Sequence, residues 1–362
     1  MASIVHEFRA RGHEFAFIHT GQHYDPQMSA VFLQQLDLPS PSLNLATGSG
    51  SQAEQTATAL VRLEEAFLRL RPEVVLVEGD TNTTVAAALA AAKLGIDVAH
   101  VEAGVRSYDL RMPEEHNRRL VDHLSAYLFA PSEGALTILR KEACWGDSYV
   151  TGNTVIDAVV RYGSQALPPA GLGDRPPNAF ALATGHRAEN VDDVGILREM
   201  CEVFARCPIP VVYPIHPRAR KRLQSSGLEA KLHASRNVTL LGPLGYLEFL
   251  WLLRACRFIL TDSGGIQQEA TAPSVEKKVF VLRETTESTE AVDAGYAEVV
   301  GTNPQVVLPR LEDFLSERWT SPGKHPYGQG DAGRRIVEIL EQAAPGFMLT
   351  HAARRLSRRK RI

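Results

Sequence analysis

Cysteine is scarce in this sequence, with four residues in 362. No two of them form a CxxC pair, and their spacing matches neither a zinc site nor a disulfide framework. Free thiols are typical of a reducing compartment, so we expect a cytoplasmic protein. The spacing of the histidines and aspartates does not suggest a bound metal, and we expect none. The cysteines are Cys144, Cys201, Cys207 and Cys256.

An excess of charge and long apolar runs are also lacking. The formal net charge is −3, which gives no reason to expect a nucleic-acid partner or an anionic membrane surface. We interpret the basic tail at 354–361 as a solvated terminus. No apolar run approaches the ~20 residues of a membrane-spanning helix, and the N-terminus lacks the apolar core of a signal peptide. The composition predicts a soluble, unexported globular protein.

Three common catalytic motifs are missing as well. No G-x-G-x-x-G follows a predicted strand, and neither a P-loop nor a G-x-S-x-G turn is present. These absences argue against nicotinamide-dependent, kinase-like and serine-hydrolase functions. We therefore expect no cofactor.

The hydrophobic pattern alternates short β-rich runs with longer segments of helical spacing, which is typical of βα units and a parallel sheet. Strands are predicted at 15–19, 74–78, 98–102, 127–130, 180–183, 211–214, 238–241, 258–261, 279–282 and 298–300. Helices are predicted in the first half at 26–36, 52–70, 83–94, 113–124 and 132–143.

A Pro- and Gly-rich stretch separates the two series of strands. We predict two doubly wound, Rossmann-like α/β domains that face each other across a cleft. The chain opens with a helical pattern at 1–13 and no strand before it, so the first strand of the first domain is expected to be missing. The predicted boundaries are 1–165, a linker at 166–178, a second domain at 179–330 and a final helix with its basic tail at 331–362.

The segment TDSGGIQQE (261–269) places Ser263, Gly264 and Gly265 between a predicted strand and a predicted helix. Glycines let the backbone approach a ligand closely, and the N–H groups at a helix N-terminus favour an anion. The turn is a candidate phosphate clamp, although a simple helix cap by Asp or Ser explains it equally well. Glu269 could contact a ribose hydroxyl or lie in solvent.

Acidic side chains follow two successive strands of the first domain. Asp80 comes after one strand, Glu102 ends the next, and Glu114 opens the following helix. Successive parallel strands are usually neighbours, so Asp80 and Glu102 should meet at one rim. Clustered carboxylates repel and raise the pKa of at least one of them, which creates an acid and a base near neutral pH. Singly, Asp80 could be a helix cap and Glu114 a first-turn acid.

His186 and Arg187 follow the first strand of the second domain in GHRAEN (185–190). At the carboxyl end of a strand, opposite the carboxylates, they suit proton transfer and an anion contact. His216 occupies a similar position and is the weaker candidate. Either histidine could instead be a loop residue without a catalytic role.

Ten motifs occur in order along the chain: HTGQHYD (19–25), GSGSQAEQT (48–56), GDTNTT (79–84), HVEAGVRS (100–107), MPEEHNRR (112–119), TGNTVIDA (151–158), GHRAEN (185–190), TDSGGIQQE (261–269), LRETTESTEAVDAG (282–295) and HPYGQGDAGRRI (325–336). Together they resemble the non-hydrolysing UDP-N-acetylglucosamine 2-epimerases, and the likeness covers nearly the whole chain.

The resemblance implies a GT-B-like fold whose C-terminal helix crosses back to the first domain. It implies inversion at C2 of a UDP-sugar: a base removes the C2 proton as UDP leaves C1, and UDP re-adds to the 2-acetamidoglucal after protonation on the other face. It also implies a homodimer. By matching positions, the catalytic or sugar-site residues are Asp80, Glu102, Glu114 and His186; the UDP-binding residues are Ser263, Gly264, Gly265 and Glu269; and a second UDP-sugar site comprises Gln22, His23, Arg187 and His216.

The chain departs from the family pattern in three places. The segment Gly-Thr-Arg-Pro-Glu after the first strand has no counterpart, and Ser288 stands where the family commonly has an arginine near the nucleotide. The spacing between Glu102 and Glu114 is short, as in the branch that includes archaeal enzymes and enzymes acting on UDP-2,3-diacetamido uronic acids. The identity of the UDP-sugar therefore stays open.

Other functions remain open too. They are an epimerase of a UDP-2,3-diacetamido uronic acid, a hydrolysing 2-epimerase, a GT-B glycosyltransferase and a nucleotide-sugar-binding protein without catalysis. The carboxylate-rich rim argues against the glycosyltransferase, because inverting transfer needs one base. The sequence does not assign which carboxylate is the base and which the acid.

Overall fold

The computed structural model describes residues 1–21, 33–48, 50–173 and 175–343. Over these ranges the chain forms two α/β halves, each built on parallel strands with helices between them. The predicted fold class is confirmed.

The strands of the first half fall into two sets. β1 and β2 form a short parallel pair, and β3 to β6 form a four-stranded parallel sheet in sequential order. No strand pairing among the described residues joins the two sets, although their side chains share one hydrophobic core. The strands are β1 (Ile18–His19), β2 (Leu43–Asn44), β3 (Val74–Glu78), β4 (Asp97–Val101), β5 (Tyr127–Ala130) and β6 (Asp147–Val150).

The strand predictions for this half need correction at its edges. Of the run 15–19, only Ile18–His19 pairs as a strand, and the hydrophobic pattern does not predict β2 or β6. β6 is an edge strand with the sequence DSYV and no fully buried residue. It therefore lacks the apolar run that marks a buried parallel strand. β2 has only two residues, too few to show the alternating hydrophobic pattern of a strand.

The helices predicted at 52–70, 83–94, 113–124 and 132–143 agree with the structure within two residues at each end, whereas the helix Thr154–Tyr162 is not predicted. At the start of α2, Ser51 and Glu54 form a capping box, and Pro113 occupies the first turn of α4. The helix predicted at 26–36 lies largely outside the described residues. The helices are α1 (Ala2–Arg11), α2 (Gln52–Leu70), α3 (Asn82–Leu94), α4 (Pro113–Leu124), α5 (Glu133–Lys141) and α6 (Thr154–Tyr162).

The second half contains a six-stranded parallel sheet in the order β9-β8-β7-β10-β11-β12. This is the strand order 3-2-1-4-5-6 of dinucleotide-binding sheets. The winding reverses between β7 and β10, and ligands bind beyond the carboxyl ends of the strands at such a switch point. Each strand lies within one residue of its predicted bounds: β7 (Ala181–Thr184), β8 (Val211–Pro214), β9 (Val238–Leu241), β10 (Ile259–Thr261), β11 (Val279–Val281) and β12 (Ala297–Val299).

Helices cover both faces of this second sheet. Ala183 of β7 packs into the core on one face and Leu182 into the core on the other, as expected for successive residues of a strand. In the part of the chain described here, no helix is long and apolar enough to cross a membrane. The helices are α7 (Ala188–Val191), α8 (Val194–Arg206), α9 (Pro217–Ser225), α10 (Leu228–Ala234), α11 (Tyr246–Ala255), α12 (Gly264–Glu269), α13 (Thr289–Asp293), α14 (Pro304–Ser316) and α15 (Ala332–Ala343).

Helix α15 crosses back to the first half. Its Ile336 packs in one core with Ile4 of α1. At its start, the buried Asp157 of α6 accepts hydrogen bonds from the backbone N–H groups of Ala332 and Gly333, at 3.0 and 2.6 Å. The predicted crossover is confirmed, and it ties the end of the described chain to its beginning.

Candidate functional site

A cavity of about 330 Å³ lies between the two halves, beyond the carboxyl ends of strands from both sheets. The residues that line it come from both halves. From the first half they are Gly79, Asp80, Glu102, Val105, Glu114 and Arg118, and from the second Arg187, Gly264, Gly265, Gln268 and Glu287. Three predicted carboxylates and two predicted glycines therefore share one space.

Asp80 and Glu102 meet at one rim, as the sequence predicts. β3 and β4 pair in register along their full lengths, so the residues that follow their ends are neighbours. Glu102 has a φ of +73°, a left-handed conformation that residues other than glycine rarely adopt. This backbone brings the Glu102 carboxylate next to Gly79, where a Cβ would lie 3.5 Å from Glu102 Oε2. Unusual backbone of this kind is often found at functional sites.

Arg118 connects two carboxylates of the first half. Its guanidinium donates to Asp80 and, at 3.2 Å, to the fully buried Glu115. Burial opposes the ionisation of Glu115, but two hydrogen bonds from Ser107 and the charge of Arg118 outweigh it and lower the pKa of Glu115. Glu114, by contrast, faces the cavity. The two adjacent glutamates thus differ: one anchors the helix and the other is available to a ligand.

Glu102 has a pKa near neutrality. Burial, and then the negative charges of Glu78 and Asp80, raise its pKa from 4.5 to about 7. Asn153 Nδ2 donates to Glu102 Oε1 at 3.0 Å and limits the rise. The same amide donates to Gln268 Oε1 at 2.8 Å, so it bridges the two walls of the cavity. A carboxyl with such a pKa can both accept and release a proton at neutral pH.

A buried ion cluster lies beneath this rim. His100 Nδ1 is 2.7 Å from Asp122 Oδ1, and His100 Nε2 is 2.9 Å from the carbonyl oxygen of Gly79. Both ring nitrogens therefore lie within hydrogen-bonding distance of an oxygen, and the two contacts fix the orientation of the His100 ring. Asp122 also accepts from the Gly104 N–H at 3.1 Å and from Arg106 at 2.8 Å. These contacts outweigh burial and lower the pKa of Asp122.

Asp262 holds the loop that follows β7. It is fully buried, and its carboxylate accepts from the backbone N–H groups of His186 and Arg187 at 3.0 Å each. His186 Nδ1 lies 3.3 Å from the same carboxylate. Asp262 therefore orients this loop across the switch point instead of serving as a simple turn residue. The sequence predicts functional roles for the loop at 185–190 and the turn at 261–265, but it does not predict the hydrogen bonds from the loop to Asp262.

The glycine turn forms the second wall of the cavity. The side chain of Ser263 makes no capping hydrogen bond to the helix that it begins. Glu287 packs directly over Gly264, where a Cβ would collide with its carboxylate. Below the turn, Ser288 is fully buried and donates to the carbonyl oxygen of Gly264 at 3.2 Å. Gly265 is exposed and both glycines line the cavity, so the turn is open to a ligand.

Two arginines neutralise Glu287 at this wall. Arg187 and Arg283 donate to its carboxylate at 2.7 and 2.6 Å. Burial opposes the ionisation of Glu287, but these two charges outweigh it and lower its pKa. Arg187 Nε is buried without a hydrogen-bond partner, and Arg187 lines the cavity. Its guanidinium therefore has hydrogen-bonding capacity left for an anionic ligand.

Other predicted residues are not among those that line the cavity. The side chain of His186 is 38% exposed, and its ring centroid lies 5.6 Å from that of His216. Burial, and then the charge of His186, lower the pKa of His216. Glu269 is buried, and burial alone raises its pKa to about 8. Gln22 and His23 lie outside the described residues.

The cavity thus combines a proton-transfer wall with an anion-binding wall. Asp80, Glu102 and Glu114 supply carboxyl groups on one side, and Arg187 and the backbone of the glycine turn supply donors on the other. Elimination of an anionic leaving group next to an acidic C–H bond requires both kinds of group. The arrangement suits that reaction without an electron carrier.

Comparison with known proteins identifies relatives along nearly the whole chain. A family model described as UDP-N-acetylglucosamine 2-epimerase matches residues 6–341. The UDP-N-acetylglucosamine 2-epimerase of Methanocaldococcus jannaschii is 40% identical over 356 residues, which is 94% of each chain. A UDP-2,3-diacetamido-2,3-dideoxy-D-glucuronate 2-epimerase of Pseudomonas aeruginosa is 38% identical over 329 residues, covering 89% of this chain and 90% of that protein.

Solved structures agree with this relationship. The crystal structure of the M. jannaschii UDP-GlcNAc 2-epimerase in complex with UDP-GlcNAc and UDP aligns with a TM-score of 0.85 at 39% identity, covering 94% of this chain and 95% of that chain. Acinetobacter baumannii MurG, at 14% identity and a TM-score of 0.52, covers 94% of each chain and shares the fold alone. The predicted GT-B-like arrangement is confirmed.

Proposed function

The chain belongs to the UDP-N-acetylglucosamine 2-epimerase family, and on that basis we propose that it interconverts UDP-N-acetylglucosamine and UDP-N-acetylmannosamine. The observation that carries the proposal is the composition of the cavity, in which three carboxylates face a glycine turn and an arginine. A UDP-sugar needs donors for its diphosphate and proton-transfer groups at the sugar.

The proposed mechanism has an elimination and an addition. A carboxylate takes the C2 proton, the C1–O bond breaks with its electron pair going to UDP, and a C1–C2 double bond forms. A second group, acting as an acid, then protonates C2 on the opposite face while UDP re-forms its bond to C1. No net oxidation occurs, so no electron carrier is consumed. Asp80, Glu102, Glu114 and His186 are the proposed proton-transfer and sugar-binding groups.

UDP is proposed to lie on the second half. The backbone of Ser263, Gly264 and Gly265, with Arg187, would hold the diphosphate and stabilise the charge that develops as UDP leaves. Glu269 would accept hydrogen bonds from the ribose hydroxyls. This placement puts the leaving group at the switch point of the second sheet, where doubly wound folds bind nucleotides.

A second UDP-sugar site beside the first is proposed at Gln22, His23, Arg187 and His216. The position of His216 next to His186, with ring centroids 5.6 Å apart, supports it, because a ligand at His216 would adjoin His186. We also propose a homodimer in a cytoplasmic setting. Sedimentation equilibrium giving the mass of a single chain at micromolar concentration would contradict the dimer.

Proton NMR in heavy water tests the function. Incubation of UDP-N-acetylglucosamine with the protein is expected to replace the C2 hydrogen with deuterium and to produce the manno epimer with its UDP attached. Accumulation of free UDP and N-acetylmannosamine would instead identify a hydrolase. Turnover only with an added acceptor would identify a glycosyltransferase.

Two further measurements, with a second UDP-sugar and by calorimetry, complete this test. Exchange only with UDP-2,3-diacetamido-2,3-dideoxy-D-glucuronate would correct the substrate but keep the mechanism. Binding of UDP-sugars by calorimetry, with no exchange in any of them, would reject catalysis altogether.

UDP affinity is expected to depend on the ionisation of Glu269. With a pKa of about 8, Glu269 is protonated in the free protein below that pH. Ribose hydroxyls bind an ionised carboxylate more strongly than a neutral one, so UDP binding must displace this proton. The Kd for UDP, measured by calorimetry, should therefore rise up to about tenfold for each pH unit below 8.

The variant Glu269→Gln provides the matched control. Gln cannot ionise, so the variant should show only the pH dependence of UDP itself. Equal pH slopes for the two proteins would remove Glu269 from the UDP site.

A further inference from the structure

Three side chains with metal-ligating atoms cluster in the first half, and none of them lines the cavity. His123 lies in the last turn of α4, and Glu142 and Cys144 follow α5. One ligand atom from each side chain lies within 4.8 Å of the other two. His123 is exposed and the other two are partly exposed, so the cluster is open to ions from solvent.

The backbone around the cluster is fixed. Ala143, between the two ligands that follow α5, has a φ of +53° and turns the chain sharply. Trp145 Nε1 donates to the carbonyl oxygen of His123 at 2.6 Å. Gly146 packs so closely on Ser125 that a Cβ would collide with its carbonyl oxygen. The segment is therefore held against the end of α4, which fixes the backbone that carries the three side chains.

The orientation of His123 is that of a metal ligand. Its Nδ1 lies 3.0 Å from the carbonyl oxygen of Arg119, so Nδ1 carries the proton and donates it. The lone pair is then on Nε2; Cys144 Sγ lies 4.0 Å from Nε2 and 3.8 Å from Nδ1. A metal-bound histidine commonly donates its other N–H to a backbone carbonyl in this way. Zinc bonds of about 2.0 Å to nitrogen and about 2.3 Å to sulfur span such a separation.

Glu142 can serve as the third ligand while Arg106 keeps an anionic partner. Its carboxylate now accepts from Arg106 Nε at 3.1 Å and from Arg106 Nη2 at 2.6 Å. Arg106 is also paired with the buried Asp122 at 2.8 Å. If Glu142 turns toward a cation, Arg106 therefore keeps an anionic partner.

We propose that His123, Glu142 and Cys144 form a binding site for a thiophilic divalent cation of the Zn²⁺ class, with water in the fourth position. One sulfur, one imidazole nitrogen and one carboxylate oxygen favour Zn²⁺ over Mg²⁺ or Ca²⁺, which prefer oxygen ligands alone. On binding, the thiol proton leaves to solvent as the bond from Sγ to the metal forms. The ligand spacing along the chain does not resemble a zinc motif, because folding of β5 and β6 brings the ligands together.

Metal titration of the tag-free, chelator-treated protein tests the site. Calorimetry with Zn²⁺ is expected to show about one bound ion per chain, with release of a proton to the buffer. Co²⁺ is expected to give a sulfur-to-cobalt charge-transfer band and the strong visible bands of a four-coordinate site. Cys144→Ser should lose the charge-transfer band, and His123→Gln should lose most of the affinity.

His116→Gln is the matched control, because His116 is an exposed histidine on the same helix whose Nε2 contacts the carbonyl oxygen of Leu110. It should bind the ion as the wild type does. Thermal unfolding of the metal-free proteins checks that the variants fold. The proposal is overturned if Cys144→Ser still binds one Zn²⁺ with wild-type affinity, if the Co²⁺ complex has no charge-transfer band, or if the wild type binds no ion.

Discussion

Glu102→Gln is expected to lower the rate of C2 proton exchange by roughly 10²–10⁴-fold, the range for loss of a general acid or base. Gln preserves the shape and the hydrogen bond from Asn153 but cannot carry the proton. UDP binding should stay close to the wild-type value, because the proposed UDP contacts lie on the other wall of the cavity. NMR exchange rates and calorimetry with UDP measure the two quantities separately.

The same substitution is expected to stabilise the protein above neutral pH. Glu102 ionises near 4.5 when unfolded and near 7 when folded. Its protonated form is the one compatible with burial, so its contribution to stability is full below pH 4.5 and is lost as the pH rises through 7. The shift corresponds to at most about 3 kcal/mol. Gln avoids this loss, so Glu102→Gln should unfold at a higher temperature than the wild type at pH 8, and the difference should shrink toward pH 5.

Glu65→Gln is a suitable control, because Glu65 is an exposed carboxylate on α2. It should change neither the exchange rate nor the pH dependence of unfolding. Exchange by Glu102→Gln within about tenfold of the wild-type rate would show that Glu102 is not an acid or base in the reaction. If Glu102→Gln loses activity and gains stability, it behaves as expected for an active-site residue whose charge is unfavourable for folding but needed for function.

The central strands of the second half could be predicted because they are short apolar runs whose residues are almost all buried. Strands such as β8 and β10 are short apolar runs bounded by polar turns, with a neighbouring strand on each side and helices over both faces of the sheet. Edge positions carry less information. β6 begins with Asp147 and has an open side, so its four residues do not stand out from a loop.

Half of the site could be predicted because strand ends are visible in a sequence. Asp80, Gly264 and Gly265 follow predicted strands and Glu102 ends one, and parallel topology brings such positions together. The supporting charges could not be predicted, because their partners are distant along the chain. Asp262 contacts the loop at His186 through space, and nothing in the local sequence indicates that its carboxylate turns away from the helix that follows it.

Asp122→Asn is expected to destabilise the fold by about 3–5 kcal/mol, the range for removal of one partner from a buried ion pair. The Asp122 carboxylate is fully buried and accepts from His100, Gly104 and Arg106. Asn has one carbonyl oxygen and an NH₂ group, and the NH₂ would face donors and leave them unpaired. Urea unfolding at 25 °C measures the loss. Asp313→Asn, at an exposed position on α14, is the control and should change the free energy of unfolding by less than about 0.5 kcal/mol.

Asp122→Asn is also expected to act on Glu102 through His100. Without the Asp122 carboxylate, His100 loses the contact that holds its ring in place beneath the rim, and the charge of His100 is one of the influences that lower the pKa of Glu102. The pKa of Glu102 should therefore rise above 7 in the variant, and the pH at which stability falls should rise with it. A variant that loses stability with no such displacement would show that Asp122 only supports the fold. If the pKa of Glu102 and the pH at which stability falls both rise, the buried cluster sets the proton affinity of the cavity although none of its side chains need contact the substrate.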